Sequence, residues 1–140
     1  MPAPVDALID TGPLVGFLDK SDQWHDFAVK TFPRVNFPAY TCEAVISEAV
    51  YHLRESAEAR DGLLEMIDIE ALVVLPVFPE GRTYLRETLK KYGPKTDLAD
   101  AALLWLAETH PGLSILTTDK RDFSRYRLHA ANRTLGIISP

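Results

Sequence analysis

The chain has 140 residues, a net charge of −5 and an apolar fraction of 46%, values that predict a single globular domain over residues 1–140. No apolar stretch approaches the roughly 20 residues needed to cross a bilayer, which argues against a membrane protein. The N-terminal "MPAPVDALID" lacks a basic segment, so we expect no signal peptide and a cytoplasmic location. One cysteine, Cys42, excludes an internal disulfide and a cysteine metal site.

The charge is unevenly distributed along the chain. From Lys120 to Pro140 there are five basic residues and one acid, Asp122, whereas the rest of the chain carries ten bases and nineteen acids. A basic terminal segment beside an acidic body can contact phosphate groups. Charge alone leaves a solvated surface open as the alternative.

The first half of the chain reads as one strand followed by helices. Residues 5–9 form an apolar run that predicts a buried strand, and Pro13 predicts the first turn of a short helix over 13–18. A second helix is predicted over 24–31. After the extended "NFPAY", Thr41 is expected to cap an amphipathic helix, and another helix covers about 57–67.

The second half alternates strands and helices. "ALVVLPV" predicts a second strand, and 80–92 an amphipathic helix that ends at Gly93-Pro94. Residues 98–108 predict a largely buried helix, "LSILTT" a third strand and "LGIIS" a fourth. Short apolar strands alternating with helices indicate an α/β protein, with a central parallel sheet of four or five strands in a three-layer α/β/α arrangement.

Two acids are expected at the edge of such a sheet where ligands bind. Ligand sites lie beyond the carboxyl ends of parallel strands, near the point where strand order reverses. Asp10 follows the first strand and Asp119 follows "ILTT". Asp6 precedes Asp10 by four residues, roughly 13 Å along an extended strand, and is therefore expected to be solvated at the opposite edge.

Further acids fall on apolar helices. Glu48 lies within "CEAVISEAVYHL", and Asp100 opens the apolar part of "TDLADAALLWLAE", with Asp97 three residues earlier on the same helical face. A carboxylate against a core is costly unless it is paired, and several carboxylates with few bases are what Mg²⁺ requires. The alternatives are that Asp10 caps a helix and that Asp97 and Asp100 favour a helix N-terminus.

Four segments together resemble a known family. The order "LIDTGPLVGFLD", "TCEAVISEAVYHL", "DLADAALLWLAE" and "ILTTDKRDFSRYR" resembles the PIN domain, particularly the VapC-like toxin ribonucleases, from Ala7 to the C-terminus. The resemblance implies dependence on Mg²⁺ or Mn²⁺, RNA as substrate, a homodimer and neutralisation by a cognate antitoxin.

The resemblance also implies site residues. Carried over by position, the catalytic and metal-binding acids are Asp10, Glu48, Asp100 and Asp119, with Asp97 or Asp122 as an extra acid and Thr11 and Thr117 as supporting hydroxyls. The bases expected beside this site to contact the RNA backbone are Lys120, Arg121 and Arg125.

Two of these assignments involve a choice between neighbours. Glu43 lies five residues before Glu48, about 140° away around a helix, and Glu48 is preferred because Ala49 and Val50 follow it. Asp100 is preferred over Asp97 because it directly precedes the buried part of its helix.

Other classes of protein fit less well. An aspartic protease needs two aspartates sharing a proton, whereas one Asp-Thr-Gly occurs here and helices are predicted after it. A Mg²⁺-dependent phosphohydrolase or receiver-type domain needs an Asp-x-Asp after the first strand, and Asp10-Thr11-Gly12 does not supply it. The remaining alternative is a catalytically silent PIN-like module that binds RNA or protein, and the presence of all four acids argues against it. Trp24 is a candidate for base stacking, and four scattered histidines are expected to be structural: His25, His52, His110 and His129.

Overall fold

The computed structural model describes residues 3–126 and 136–140. Two of the five basic residues counted from Lys120 onward, Arg127 and Arg133, lie outside these described residues, as does His129. Within them, no helix combines the length and apolar character that crossing a membrane requires.

Helices and strands alternate along the chain, as the pattern predicts. The strands are β1 (Ala7–Ile9), β2 (Ala39–Thr41), β3 (Leu72–Val74), β4 (Ser114–Leu116) and β5 (Ile137–Ile138). The helices are α1 (Thr11–Leu18), α2 (His25–Thr31), α3 (Glu43–His52), α4 (Ala57–Asp68), α5 (Arg82–Tyr92), α6 (Leu98–Thr109) and α7 (Lys120–Phe123). Short 3₁₀ helices follow α2 at Phe32–Arg34 and α5 at Gly93–Lys95.

The five strands form one parallel sheet in the order β3-β2-β1-β4-β5. Leu8 pairs with Ile115 of β4 and with Tyr40 of β2, so β1 lies at the centre. The chain runs outward from β1 through β2 to β3 and then crosses to β4 on the other side of β1. The strand order therefore reverses between β1 and β4, the position at which parallel sheets bind ligands.

The helices lie on both faces of the sheet because the connections between strands run in two directions along it. Crossover connections between parallel strands are right-handed, so connections that run in opposite directions place their helices on opposite faces. Accordingly α1 packs against α2, α3 and α4, whereas α5 packs against α6. Helix α6 is mostly buried and contacts β1 and β4, which brings its N-terminal acids to the reversal point.

The three-layer α/β fold with a central parallel sheet of four or five strands is confirmed, and the described residues contain five strands. The additional strand, β2, lies where the sequence predicts only an extended segment. The end of "NFPAY", Ala39 and Tyr40, forms β2 together with Thr41, and the first and third residues of this strand are buried between β1 and β3. The prediction that Thr41 caps the next helix is wrong. Thr41 belongs to β2 and its hydroxyl donates to the Ile9 carbonyl (2.9 Å), whereas Cys42 precedes α3 without a side-chain cap.

Candidate active site

Asp10 lies at the point of strand reversal and is nearly buried. Ile9 and Leu116, the last residues of β1 and β4, pair with each other. Asp10 therefore follows β1 at the point where β4 also ends. Its N–H donates to the Leu116 carbonyl (2.9 Å). Its Oδ1 accepts from Thr11 N (2.8 Å) and its Oδ2 from Thr117 Oγ1 (2.7 Å). With 8% exposure, the carboxylate is fixed in one orientation.

Two threonines connect Asp10 to acids on other elements. The Thr117 hydroxyl, besides donating to Asp10, accepts from Asp119 N (2.9 Å). The Thr11 hydroxyl donates to Glu48 Oε2 (3.0 Å), which joins α1 to α3. Both threonines are buried, so these bonds hold three acidic residues in a defined arrangement.

Asp97 and Asp100 lie at different positions at the start of α6. Asp97 is the N-cap residue of α6, and its Oδ1 accepts from Asp100 N (2.8 Å). Asp97 is therefore extended and precedes the helix instead of lying within it, although both acids line the same cavity. Asp100 lies in the first turn, and its Oδ2 accepts from the hydroxyl of Tyr126 (2.9 Å).

Asp119 and Asp122 are positioned by α7. Asp119 is the N-cap residue, with Oδ1 accepting from Asp122 N (3.0 Å). Asp122 in turn forms an ion pair with Arg125 (3.2 Å). Lys120 and Arg121, the other predicted RNA-contacting bases, are exposed on α7, beside the acids that face the cavity.

All six predicted acids line one cavity of about 320 Å³ at this edge of the sheet. The cavity contains seven acids, one lysine (Lys95) and one histidine (His52); the acids are Asp10, Asp22, Glu48, Asp97, Asp100, Asp119 and Asp122. Glu43 instead lines a separate, mainly apolar groove with Leu75 and Phe78. The structure thus brings Glu48 to the cavity and leaves Glu43 outside it.

Burial in this acidic cavity raises the carboxyl pKa values. Burial raises the pKa of Asp10 to about 6, against the opposing hydrogen bonds from Thr117 and Thr11. Burial, followed by the charges of Asp97 and Asp10, raises the pKa of Asp100 to about 8. Burial also raises the pKa of Glu48, with Asp97 adding to the effect, and partial burial raises the pKa of Asp119. The neighbouring carboxylates repel one another, and the few positive groups at the cavity do not offset the effect of burial on their pKa values.

The donor set fits a hard divalent cation. Carboxylates from the ends of β1 and β4 and from α3 and α6 face one cavity, and oxygen ligands of this kind suit Mg²⁺ and Mn²⁺. Within residues 3–126 and 136–140, no three acidic, histidine or cysteine side chains already stand close enough to form a metal site. The carboxylates would therefore have to draw together around a cation.

Several residues in or beside the cavity were not predicted as site residues. Lys95 and His52 add positive or titratable groups, but neither belongs to a local motif. Gly12 approaches the loop before α7 so closely that a Cβ would overlap Thr118 Oγ1. Tyr126 is the partner of Asp100, and "RDFSRY" alone does not point to that contact. Trp24, the candidate for base stacking, lines the same cavity.

The remaining conspicuous residues are structural. Nδ1 of His25 is 2.7 Å from the Gly16 carbonyl and Nδ1 of His110 is 3.0 Å from that of Leu106. Cys42 is fully buried. Asp6 is exposed and accepts from Asn36 (2.9 Å), as expected for the opposite edge.

The fold and the acidic cavity at the strand reversal define an α/β protein with a candidate metal centre. The family model of the PIN domain matches residues 7–128, so the chain belongs to the PIN domain family. A solved structure of VapC20 from Mycobacterium tuberculosis, described as a toxin that cleaves the sarcin-ricin loop, shares the fold with a TM-score of 0.67. The two sequences are 14% identical over 79% of this chain and 87% of that one. No curated protein matches the sequence.

Proposed function

We propose that this protein is a divalent-metal-dependent endoribonuclease whose metal-binding acids are Asp10, Glu48, Asp100 and Asp119. The observation that carries the proposal is the convergence of these acids, from four separate segments, on one cavity with little compensating positive charge. Membership of the PIN family supports a nuclease, and the fold shared with a toxin that cleaves RNA supports RNA as the substrate. Asp97 and Asp122 are proposed to act as additional acids.

In the proposed mechanism the acids of the cavity bind the metal and two threonines orient them. A bound Mg²⁺ or Mn²⁺ would supply Lewis-acid activation of water and of the scissile phosphate. Asp10 and Asp100 are the most buried acids and provide the fixed carboxylates, whereas Glu48 and Asp119 complete the set from α3 and α7. Thr117 and Thr11 orient the carboxylates of Asp10 and Glu48 through their hydroxyls.

Positive and aromatic groups around the cavity are proposed to bind the RNA strand. Lys95 and His52 line the acidic cavity and can contact phosphate oxygens. Trp24 offers a ring on which a base can stack. Lys120 and Arg121 on α7 and Arg125 just after it extend the positive charge, although Arg125 already pairs with Asp122.

We further propose that the chain is the toxin of a toxin–antitoxin pair, acting as one domain over residues 1–140 in the cytoplasm. A homodimer and a cognate antitoxin are the expected protein partners. Exposed apolar side chains of the separate groove that Glu43 lines, Phe78 (55%) and Leu98 (46%), support a surface that another chain covers. A catalytically silent binding module is the second candidate, and retention of every acid in the cavity argues against it.

Cleavage of RNA tests the proposal directly. Purified protein with Mg²⁺ or Mn²⁺ is expected to cut RNA, and a chelator should stop cleavage. Because water is the proposed nucleophile, the products should carry 5′-phosphate and 3′-hydroxyl ends, which separates this activity from a contaminating metal-independent nuclease that leaves cyclic phosphates.

The matched control is Asp10→Asn, purified in the same way. Cleavage that survives exhaustive chelation, or that Asp10→Asn retains in full, would remove the proposed mechanism. If the metal-bound protein binds RNA but cleaves none of the RNAs tested, the result would favour the catalytically silent binding module.

A further inference from the structure

A buried tyrosine holds the carboxylate of Asp100 from outside the cavity. The Tyr126 side chain is 0% exposed, and its hydroxyl donates to Asp100 Oδ2 at 2.9 Å. Tyr126 itself does not line the cavity. It follows α7, so the bond ties the segment after α7 to the first turn of α6.

A second hydroxyl continues this contact. Thr96 Oγ1 lies 2.9 Å from the Tyr126 hydroxyl, and Thr96 is also buried. An ionised carboxylate only accepts hydrogen bonds, and each hydroxyl carries one hydrogen. When Asp100 is ionised, Tyr126 must donate to it, and Thr96 must then donate to Tyr126. The three groups form a directed chain, in which each bond strengthens the next.

The tyrosine ring is fixed independently of its hydroxyl. Its edge-to-face contacts are with Tyr92 (centroids 4.8 Å apart) and Phe123 (5.3 Å). A phenylalanine at position 126 would keep these ring contacts and lose only the oxygen. The hydroxyl therefore has a role that can be separated from packing.

We propose that Tyr126 is a positioning residue for metal binding, which orients the Asp100 carboxylate, and that Thr96 holds the Tyr126 hydroxyl in place. The inference rests on the proposed role of Asp100 as a metal ligand. By occupying Oδ2, Tyr126 leaves Oδ1 for a cation. Partners of metal ligands commonly change metal affinity 10–100-fold when they are removed.

Mn²⁺ binding measured by calorimetry tests the inference without relying on activity. Tyr126→Phe is expected to raise the Mn²⁺ Kd by about 10-fold or more, and Thr96→Val by a smaller factor. RNA cleavage by Tyr126→Phe should recover at saturating Mn²⁺, which a general loss of structure would not allow. Tyr40→Phe is the matched control, because Tyr40 lines a groove with Asp6 and His110 at the opposite edge, and its Kd should stay at the wild-type value.

The outcomes separate this inference from the proposed function. Wild-type protein that binds Mn²⁺, together with a folded Tyr126→Phe of unchanged Kd, would overturn the inference alone. Wild-type protein that binds no Mn²⁺, or Asp100→Asn with unchanged Kd, would overturn the proposed metal site and this inference with it. If Tyr126→Phe fails to fold in thermal unfolding, Thr96→Val decides, and an unchanged Kd for that variant overturns the inference.

Discussion

Three acids of the cavity are also helix N-cap residues. Asp10, Asp97 and Asp119 each accept a hydrogen bond from the first turn of α1, α6 or α7. The structural and functional interpretations of these aspartates are therefore compatible. A helix N-terminus favours negative charge, which offsets part of the repulsion that gathering these carboxylates creates.

Asparagine substitutions separate the roles of the two acids on α6. Asp100→Asn removes a charge and keeps the shape, so Mn²⁺ affinity should fall and cleavage should slow by about 10²–10³, a loss of roughly 3–4 kcal/mol. Asp97→Asn should slow cleavage only about tenfold, as expected for a group acting next to the metal ligands. Asparagine and aspartate are comparable N-caps, so α6 should keep its cap.

Calorimetry with Mn²⁺ and RNA cleavage at several Mg²⁺ concentrations would compare the two variants. An inactive Asp97→Asn beside a nearly normal Asp100→Asn would reverse the assignment of these acids. If neither substitution matters, the metal-nuclease proposal fails.

At the scale of elements, the site depends on how closely α1 approaches the segment between β4 and α7. Gly12 lies in the first turn of α1 against Thr118, and Thr118 stands between Thr117 and Asp119. This approach allows Asp10 to bond Thr117 and keeps Asp119 at the cavity. A side chain at position 12 would force Thr118 to rotate or the two segments to move apart.

Gly12→Ala tests this approach. The new Cβ would overlap Thr118 Oγ1 and lie 3.1 Å from Thr118 Cβ, so Thr118 must rotate or its loop must move, at about 1–3 kcal/mol. That cost exceeds the gain of up to about 1 kcal/mol that alanine has over glycine in a helix. Reduced Mn²⁺ affinity, slower cleavage and a lower unfolding free energy are expected, measured by calorimetry, RNA cleavage and denaturant unfolding.

Two further variants serve as controls for Gly12→Ala. Gly112→Ala should be nearly neutral, since a Cβ there meets nothing within 4 Å. Adding Thr118→Ala to Gly12→Ala should recover part of both stability and metal affinity. Wild-type behaviour of Gly12→Ala alone would show that the loop adapts without cost to the site.

At the scale of the whole molecule, the acidic cavity makes stability depend on pH. The pKa values of Asp10 and Asp100 are about 6 and 8, raised from 3.8 by burial. The folded protein therefore binds these protons more tightly than the unfolded chain does. Their favourable contribution to folding is complete below about pH 4 and is lost as the pH rises towards 8.

Asp100→Asn provides the test of this pH dependence, because asparagine resembles the protonated acid. The unfolding free energy of the variant relative to wild type, in metal-free buffer, should increase between about pH 4 and 8 and then level off. Mn²⁺ should stabilise the wild type more at pH 8 than at pH 5, since metal and protons compete for the same oxygens. Parallel stability curves for the two proteins would contradict the assigned burial of Asp100.

Local patterns in the sequence determined much of the fold. Apolar runs and the Pro and Gly residues at their ends predict α1, α2, α4, α5, α6 and four of the strands close to their observed bounds, because period and turn chemistry act within a few residues. The position of Asp10 and Asp119 after strands follows in the same way, since parallel strands end at one edge of a sheet.

The tertiary structure decided the rest, because it depends on contacts between distant residues. Strand β2 has three residues and owes its pairing to β1 and β3 on either side, so "NFPAY" alone carries too little signal. Register brings Thr117 to Asp10 across 107 residues, and packing selects Glu48 over Glu43. The bond from Tyr126 to Asp100 likewise exists only once the segment after α7 has packed against α6, because neither residue carries a local pattern that identifies the other.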